Sequence, residues 1–477
     1  MALALEPFGE IGLDEPLFRT LIAEHESEVV PELERLWLYY RNPRIGTGGG
    51  ASSLAQASGL PARLRGRGGL ASGDDRSGGA KEVVVENDIA WRVNAMVDFV
   101  FGKPVRVVSQ VEDEGKRREI ETLIDAVLES SGGGAMLRDA GLLGAVHGYV
   151  DFVVRVDGLF EGGAIVGEVG SFEDVVSFAE RVRVEVVEAL RAVPVLEPSD
   201  FRELRGYLIC SDEQTNEVDE GGRRVSRVVE VLSADRRQVY RDEALFEDAE
   251  NPLGDLPVVH VQDTSEPFSY AGMSEVEPLI PTQDELNTRL SDRAHRVTMQ
   301  SFKMYLAKGI DGFGETPVGP GQVWSTDNEG AQVESFGGDM DSPSEDAHID
   351  ELRQAMDKIS SVSPVVIGVI RERLGQLSSE NALRVTLTGI LAKTERKRIA
   401  YGRALTQIAR LILKALDASG VYRTDESERG VRVVWRDPIP VDRESELRAA
   451  RQRVELGVPL ETVLAELGYG SGDTGVI

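Results

Sequence analysis

Residues 275–309 read EVEPLIPTQDELNTRLSDRAHRVTMQSFKMYLAKG. The stretch predicts one long helix. Its apolar residues form only a thin line: Leu279, Leu286, Leu290, Ala294 and Val297. Asp284, Glu285, Asn287, Arg289, Asp292, Arg293 and Arg296 lie between them. Such a stripe is nearer the seam of a coiled coil than the broad face of a core helix. Ser274 and Glu277 match a capping box, and Pro281 should kink or restart the first turns. A helix from Leu279 to Leu306 would be about 42 Å long at roughly 1.5 Å per residue. Packing against copies of itself would use so narrow a contact; a surface helix of an ordinary bundle would also fit.

The chain beyond it is unusual. Residues 309–352 contain eleven acids and no Lys or Arg. Two short strands are expected there, GQVWST and AQVESF, with Trp324 and Phe336 as anchors. A second helix follows over about Ser344–Ser361, with Ile349, Leu352, Met356 and Ile359 on one face. The order helix, acidic β-excursion, helix describes a stalk with a tip.

Upstream, residues 15–41 predict amphipathic helix, and residues 46–81 are Gly/Ser/Ala-rich and predict a mobile loop. In NDIAWRVNAMVDFVFGKP, Ile89, Val93, Met96, Val97 and Val100 recur at helical spacing. Asn87 or Asp88 can cap that helix, and Gly102 with Pro104 closes it. The middle third changes period. GYVDFVVRVDG, GYLICSDEQ, RVSRVVEVLS and LPVVHVQD read as strands, with a hairpin tip at Gly221–Gly222. One helix is expected to interrupt them, over about Phe172–Ala192. The class is α+β with a mostly antiparallel sheet. Downstream, Glu380–Leu416 predicts a long basic helix, followed by the strand GVRVVWRD and a helical pair divided at Gly457 and Pro459.

Composition narrows the function. The 477 residues are 41% hydrophobic and 28% charged, ordinary for a soluble globular protein of several domains. No apolar run reaches membrane-spanning length, and the N-terminus is a poor secretory signal. A single cysteine, Cys210, excludes an internal disulfide and a Cys-based zinc cluster. The net charge of −29 disfavours nucleic acid and anionic membranes unless a local basic patch intervenes.

Motifs of catalysis are missing. GTGGGAS lacks the strand–loop–helix frame of a phosphate cradle. FGKPV has Pro104 where a nucleotide-binding loop needs Ser or Thr. The triplet Asp473-Thr474-Gly475 sits at the chain end with no strand around it. The five histidines are scattered, and His147 reads as a packed core residue. Neither a metal site nor a cofactor is expected.

Six stretches, in order, resemble the portal proteins of tailed double-stranded DNA bacteriophages. They are LWLYYRNPRI, NDIAWRVNAMVDFVFGKPV, PLGDLPVVHV, GMSEVEPLIPTQDELNTRLSD, LSSENALRVTLTGILAKTERKRIAYGRAL and DPIPVDRESELRAARQRVELGVPLETVLAELGY. The resemblance spans about Leu33 to Tyr469. It implies a portal-type fold with wing, stem, clip and crown regions and long helices lining a central channel. The implied regions are an N-terminal helical segment at 1–45, the Gly-rich loop at 46–81 and a wing at 82–274. A first stem helix at 275–308, a clip at 309–343 and a second stem helix at 344–363 follow. A tunnel loop at 364–379, a long wing helix at 380–416 and a crown at 417–477 complete the chain.

The resemblance implies a ring of about twelve copies at one capsid vertex, closed by a heterologous interface. DNA would enter and leave through the ring. The implied partners are a terminase packaging motor, a head-to-tail adaptor, major capsid and scaffolding proteins, and double-stranded DNA held non-specifically. Leu279, Leu286, Leu290 and Val297 are the expected stem contacts between copies. Arg371, Arg373 and Gln376 are the expected channel residues of the tunnel loop. Trp324, Asp327, Glu329 and Phe336 are the expected docking residues of the clip. Negative channel walls would repel phosphate and let DNA slide. The long helix carries eight Lys and Arg against Glu380 and Glu395; salt bridges to acidic neighbours are favoured there over DNA contact. A nucleic-acid-processing enzyme and a minor capsid or adaptor protein are the competing classes.

Overall fold

The computed structural model describes residues 3–46, 52–64, 82–161, 164–165, 170–219, 222–301, 304–308, 330–336, 343–368, 380–439, 443–460 and 463. Helix α1 (Glu15–Glu24) is capped by Asp14, whose carboxylate accepts the Leu17 N–H at 2.9 Å. It passes through one π turn into α2 (Val30–Arg41). β1 (Arg44–Gly46) and β2 (Ser52–Leu54) then pair, and a 3-10 turn follows at Ala55–Gly59. Gln56, Leu60 and Leu64 are buried. The mobile loop expected over 46–81 is thus corrected for 52–64. The Gln56 amide donates to the Tyr39 carbonyl at 2.6 Å and to Asn87 Oδ1 at 2.9 Å. Partners remote in sequence order a segment whose own composition predicts none.

Helix α3 (Asp88–Phe101) buries all five residues that its periodicity selects, and Asn87 accepts the Ala90 N–H at its start. β3 (Arg106–Ser109), α4 (Glu114–Ser130), α5 (Gly133–His147), β4 (Tyr149–Arg155) and the short pair β5 (Phe160–Glu161) and β6 (Ala164–Ile165) follow. The helix expected over 172–192 is corrected. Only α6 (Phe172–Ala179) is helical, opened by a Ser171–Asp174 capping box. The β-branched run after it forms β7 (Arg183–Glu188), and β8 (Ala192–Glu197) comes next. Isolated amphipathicity could not show that β7 has β4 waiting beside it.

β9 (Asp200–Asp219), β10 (Gly222–Leu232), β11 (Arg236–Arg241) and β12 (Ala244–Glu250) form an antiparallel sheet with β8, in the order β12-β11-β10-β9-β8. The predicted hairpin is present, with Gly222 opposite Asp219. β13 (Val258–Gln262) joins β4 and β7 in a second antiparallel sheet. Residues Leu3, Leu5, Phe8 and Phe18 pack on one face of the five-stranded sheet, against Val195, Leu208, Val229 and Tyr240.

Then come α7 (Ile280–Ser301), β14 (Met304–Lys308), β15 (Gln332–Phe336) and α8 (Pro343–Ser360). The helix expected to run to Leu306 stops at Ser301. The alternating residues after it pair antiparallel with β15, Met304 facing Phe336. Pro281 does not kink α7. It sits in the first turn, after a 3-10 turn at Glu277–Leu279, where its missing N–H costs nothing. The long basic helix is two: α9 (Glu380–Thr386) and α10 (Thr388–Ala418), divided at Leu387. β16 (Val431–Val434) pairs with β3, and α11 (Arg443–Glu455) ends near Gly457, which holds φ +97°. α10 threads the largest core cluster, burying Ile390, Tyr401, Leu405, Ile408 and Ile412 beside α3, α5 and β4.

Candidate functional site

α7 and α8 lie against each other and share a base with the core. Leu279 is 1% exposed and Leu286 fully buried, both within the core of their own chain. Leu290 packs on the same cluster, beside Ile349 and Met356. The expectation that Leu279 and Leu286 touch neighbouring copies is therefore corrected: the thin stripe already has an intrachain partner. Val297, farther along, remains exposed. Near the strands the helix pair is joined by charge, Arg293 to Asp346 at 2.9 Å and Arg296 to Glu345.

The sparse apolar content of α7 has a second cause. Gln283, Asn287 and Ser291 are fully buried and share one face at four-residue spacing. They hold the extended segment before α3. The Ser291 hydroxyl accepts the Val84 N–H at 3.0 Å. Asn287 Oδ1 accepts the Glu86 N–H at 2.9 Å. The Gln283 amide donates to the Glu86 carbonyl at 2.5 Å and accepts the Asp88 N–H at 3.1 Å. Four helical residues rise about 6 Å and two extended residues about 6.6 Å. The two repeats match, so helix side chains serve as the partner strand that this segment lacks. Asn287 also donates to Gln56 Oε1 at 3.1 Å, which links the N-terminal segment to the same face.

At the base, a buried charge cluster joins four elements. Lys397 of α10 contacts Asp263, just after β13, and reaches Glu275, just before α7, at 2.9 Å. Lys393, one turn away, contacts Glu275 and donates to the Ser360 carbonyl of α8 at 3.0 Å. The Tyr401 hydroxyl donates to Asp263 at 3.1 Å. Burial pulls the Lys397 ammonium down, but the two carboxylates outweigh it and hold its pKa above the ordinary value. Burial likewise pushes Asp263 up against the pull of Lys397. α3 is tied to α8 in the same manner. Arg92, 2% exposed, reaches Asp357 at 2.7 Å and Asp88 at 3.4 Å, and burial pulls its pKa down.

Six of the eight cations along α9 and α10 pair inside the chain: Arg384, Lys393, Lys397, Arg398, Arg410 and Lys414. The salt-bridge reading of this helix holds for them. A sequence clue to the cluster existed. Lys397 falls in register with Ile390, Tyr401 and Ile408, on a face that must be buried. The polar ladder left a clue as well, in three uncharged hydrogen-bonding residues four apart.

Arg371, Arg373 and Gln376 lie outside the described residues, as do Trp324, Asp327 and Glu329. Phe336 ends β15. Among the described residues no group of three or more His, Cys, Asp or Glu is placed to hold a metal ion. Among them also, no helix is long and apolar enough to cross a membrane.

Two antiparallel sheets, a long core helix and a helix pair capped by a two-stranded ladder define an α+β protein of portal type. The chain belongs to the phage portal protein family described as SPP1 Gp6-like, whose model matches residues 80–469. Two solved structures are similar to it at low identity. One, from the virion of a native gene transfer agent particle, is 12% identical, with a TM-score of 0.39, covering 81% of this chain and 87% of the other. The second, from the neck of an empty gene transfer agent particle computed with C6 symmetry, is 13% identical, with a TM-score of 0.40, covering 80% and 90%. No curated protein matches the chain.

Proposed function

We propose that this chain forms the portal ring at one vertex of a capsid, a structural conduit through which double-stranded DNA is packaged and ejected. The observation that carries the proposal is the family match across residues 80–469, which takes in every element from α3 to α11. The ring would hold about twelve copies joined head to tail. α7 and α8 would be the stem, β14 and β15 with residues 309–329 the clip, residues 364–379 the tunnel loop, and residues from 417 onward the crown. The clip would dock the terminase motor during packaging and the head-to-tail adaptor afterwards. Major capsid and scaffolding proteins would surround the ring in the virion. Arg371, Arg373 and Gln376 would meet passing DNA, and the net charge of −29 would keep that contact weak.

The test is direct. The purified chain, examined by size exclusion with light scattering and by negative-stain imaging, should give rings with a central hole. A stable monomer that turns over nucleotide or cuts DNA would sink the proposal.

A further inference from the structure

The loop between β13 and α7 carries an unusual residue. Phe268 is 88% exposed and holds φ +67°, a left-handed conformation that a bulky side chain rarely adopts. The loop is built to keep it there. The Gln262 amide donates to the Ser269 carbonyl at 2.8 Å and the Tyr270 carbonyl at 3.1 Å. The Met273 N–H donates to the Thr264 carbonyl at 2.9 Å, closing the loop, and the Tyr270 hydroxyl anchors on buried Asp151 at 3.1 Å. Strain of this kind persists only where the surroundings impose it, and it concentrates at sites of binding or switching. A rigid, presented aromatic also loses little entropy when it docks.

The same chain carries a matching cavity. A pocket of about 310 Å³ lies between α1 and the five-stranded sheet. Phe18, Ile22, Val229 and Tyr240 line it, and Arg19 and Arg227 stand at its edge. An apolar cavity of roughly 150 Å³ is enough to hold a benzene ring. Phe18 and Tyr240 already form a tilted aromatic pair there, 6.0 Å between centroids, which a third ring can join edge-on. The two cations suit the face of that ring and the carboxylate of Glu266, two residues before Phe268.

One chain cannot fill its own pocket. Phe268 sits beside Phe201 at the start of β9, 6.1 Å between centroids, whereas the pocket lies near Cys210, which faces Val229. Nine residues of strand separate them, about 30 Å. Two different patches on one chain give a head-to-tail contact, the kind that closes rings and not two-fold dimers.

We propose that Phe268 of each copy inserts into the α1–sheet pocket of the next, making this pair a specific contact of the ring. The inference rests on the ring reading above. Its test compares the unaltered full-length chain with Phe268→Ala, Ala23→Trp and the double variant. Ala23 lines the pocket on an exposed face of α1, so the indole blocks the mouth from outside the core. Circular dichroism checks the fold, and Ala23→Glu replaces Ala23→Trp if α1 is perturbed. Light scattering against concentration gives the point at which half the chain is in rings.

Each single variant should raise that concentration by roughly tenfold or more, the effect of a buried aromatic anchor. The double variant should be no worse than the weaker single, because a blocked pocket has already expelled the ring. Phe268→Gly should weaken rings equally while leaving the protomer's melting temperature unchanged or higher, since glycine accepts φ +67° without strain. Rings unaffected by Phe268→Ala or by Ala23→Trp would overturn the inference. So would effects that multiply in the double variant, which would mean that the two sites meet different surfaces. Absence of rings in the unaltered chain would instead overturn the ring reading itself, and this inference with it.

Discussion

Replacing Asn287 by Leu tests whether α7 is built to hold an extended backbone. Leu is close to Asn in volume, so neither a large cavity nor a clash is introduced. What changes is hydrogen bonding. Asn287 accepts the Glu86 N–H at 2.9 Å and donates to Gln56 Oε1 at 3.1 Å. Both partners lose their bond with no water at hand, because Asn287 and Gln56 are fully buried. A stranded buried polar group costs about 1–3 kcal/mol, so the pair should cost about 2–6 kcal/mol. Hydrogen exchange is the informative assay. The Val84, Glu86 and Asp88 amides should exchange faster by about tenfold for each 1.4 kcal/mol lost, while amides of β9 and β10 keep their rates. Asn287→Asp keeps the acceptor for Glu86 and loses the donor to Gln56, so its effect should be smaller. Unchanged exchange at Glu86 in Asn287→Leu would refute the ladder and return α7 to an ordinary surface helix.

Four further outcomes follow from the same geometry. Lys397→Met leaves Asp263 and Glu275 buried with one fewer cation and should destabilise the chain by about 3–5 kcal/mol in urea titration; adding Asp263→Asn should recover part of that loss. Leu286→Asp places a charge at a fully buried site and should cost more than about 4 kcal/mol, whereas Val297→Asp should stay within about 0.5 kcal/mol in the protomer. His147 is 4% exposed, and its pKa is lowered to about 4 by burial, against a smaller upward pull from Glu188. The unfolded chain takes up this proton near pH 6.5, before the folded chain does, so stability is full above pH 6.5 and falls as pH drops toward 4, by about 3 kcal/mol; His147→Met should remove that part of the slope in paired melting curves. Gly148→Ala should prevent normal folding, seen as loss of soluble protein, because φ is +93° and a Cβ would lie 2.2 Å from the Gly272 carbonyl oxygen.

Much of the fold was legible because it rests on local periodicity. α3, α8, α10 and β4, β9, β10 and β13 stand where spacing or β-branched runs place them. The misreadings share a cause. The 172–192 stretch, residues 302–308 and the segment 52–64 each adopt a state fixed by a partner far along the chain: β4, β15, and the Tyr39–Asn87–Asn287 group. Window-based reading does not contain those partners.

The opening stretch shows the division best. By itself the sequence determined that residues from about 280 onward form a helix with one narrow apolar line, that an acid-only segment follows, and that the chain resembles a family of portal rings. Only the tertiary structure decided what lies against that line. Leu279 and Leu286 turn inward because α8 and the core reach them first. Gln283, Asn287 and Ser291 are buried although polar, because an extended backbone from two hundred residues earlier needs hydrogen-bond partners. Hydrophobic periodicity records how much of a helix is greasy; it cannot record a face buried to satisfy someone else's N–H and C=O groups.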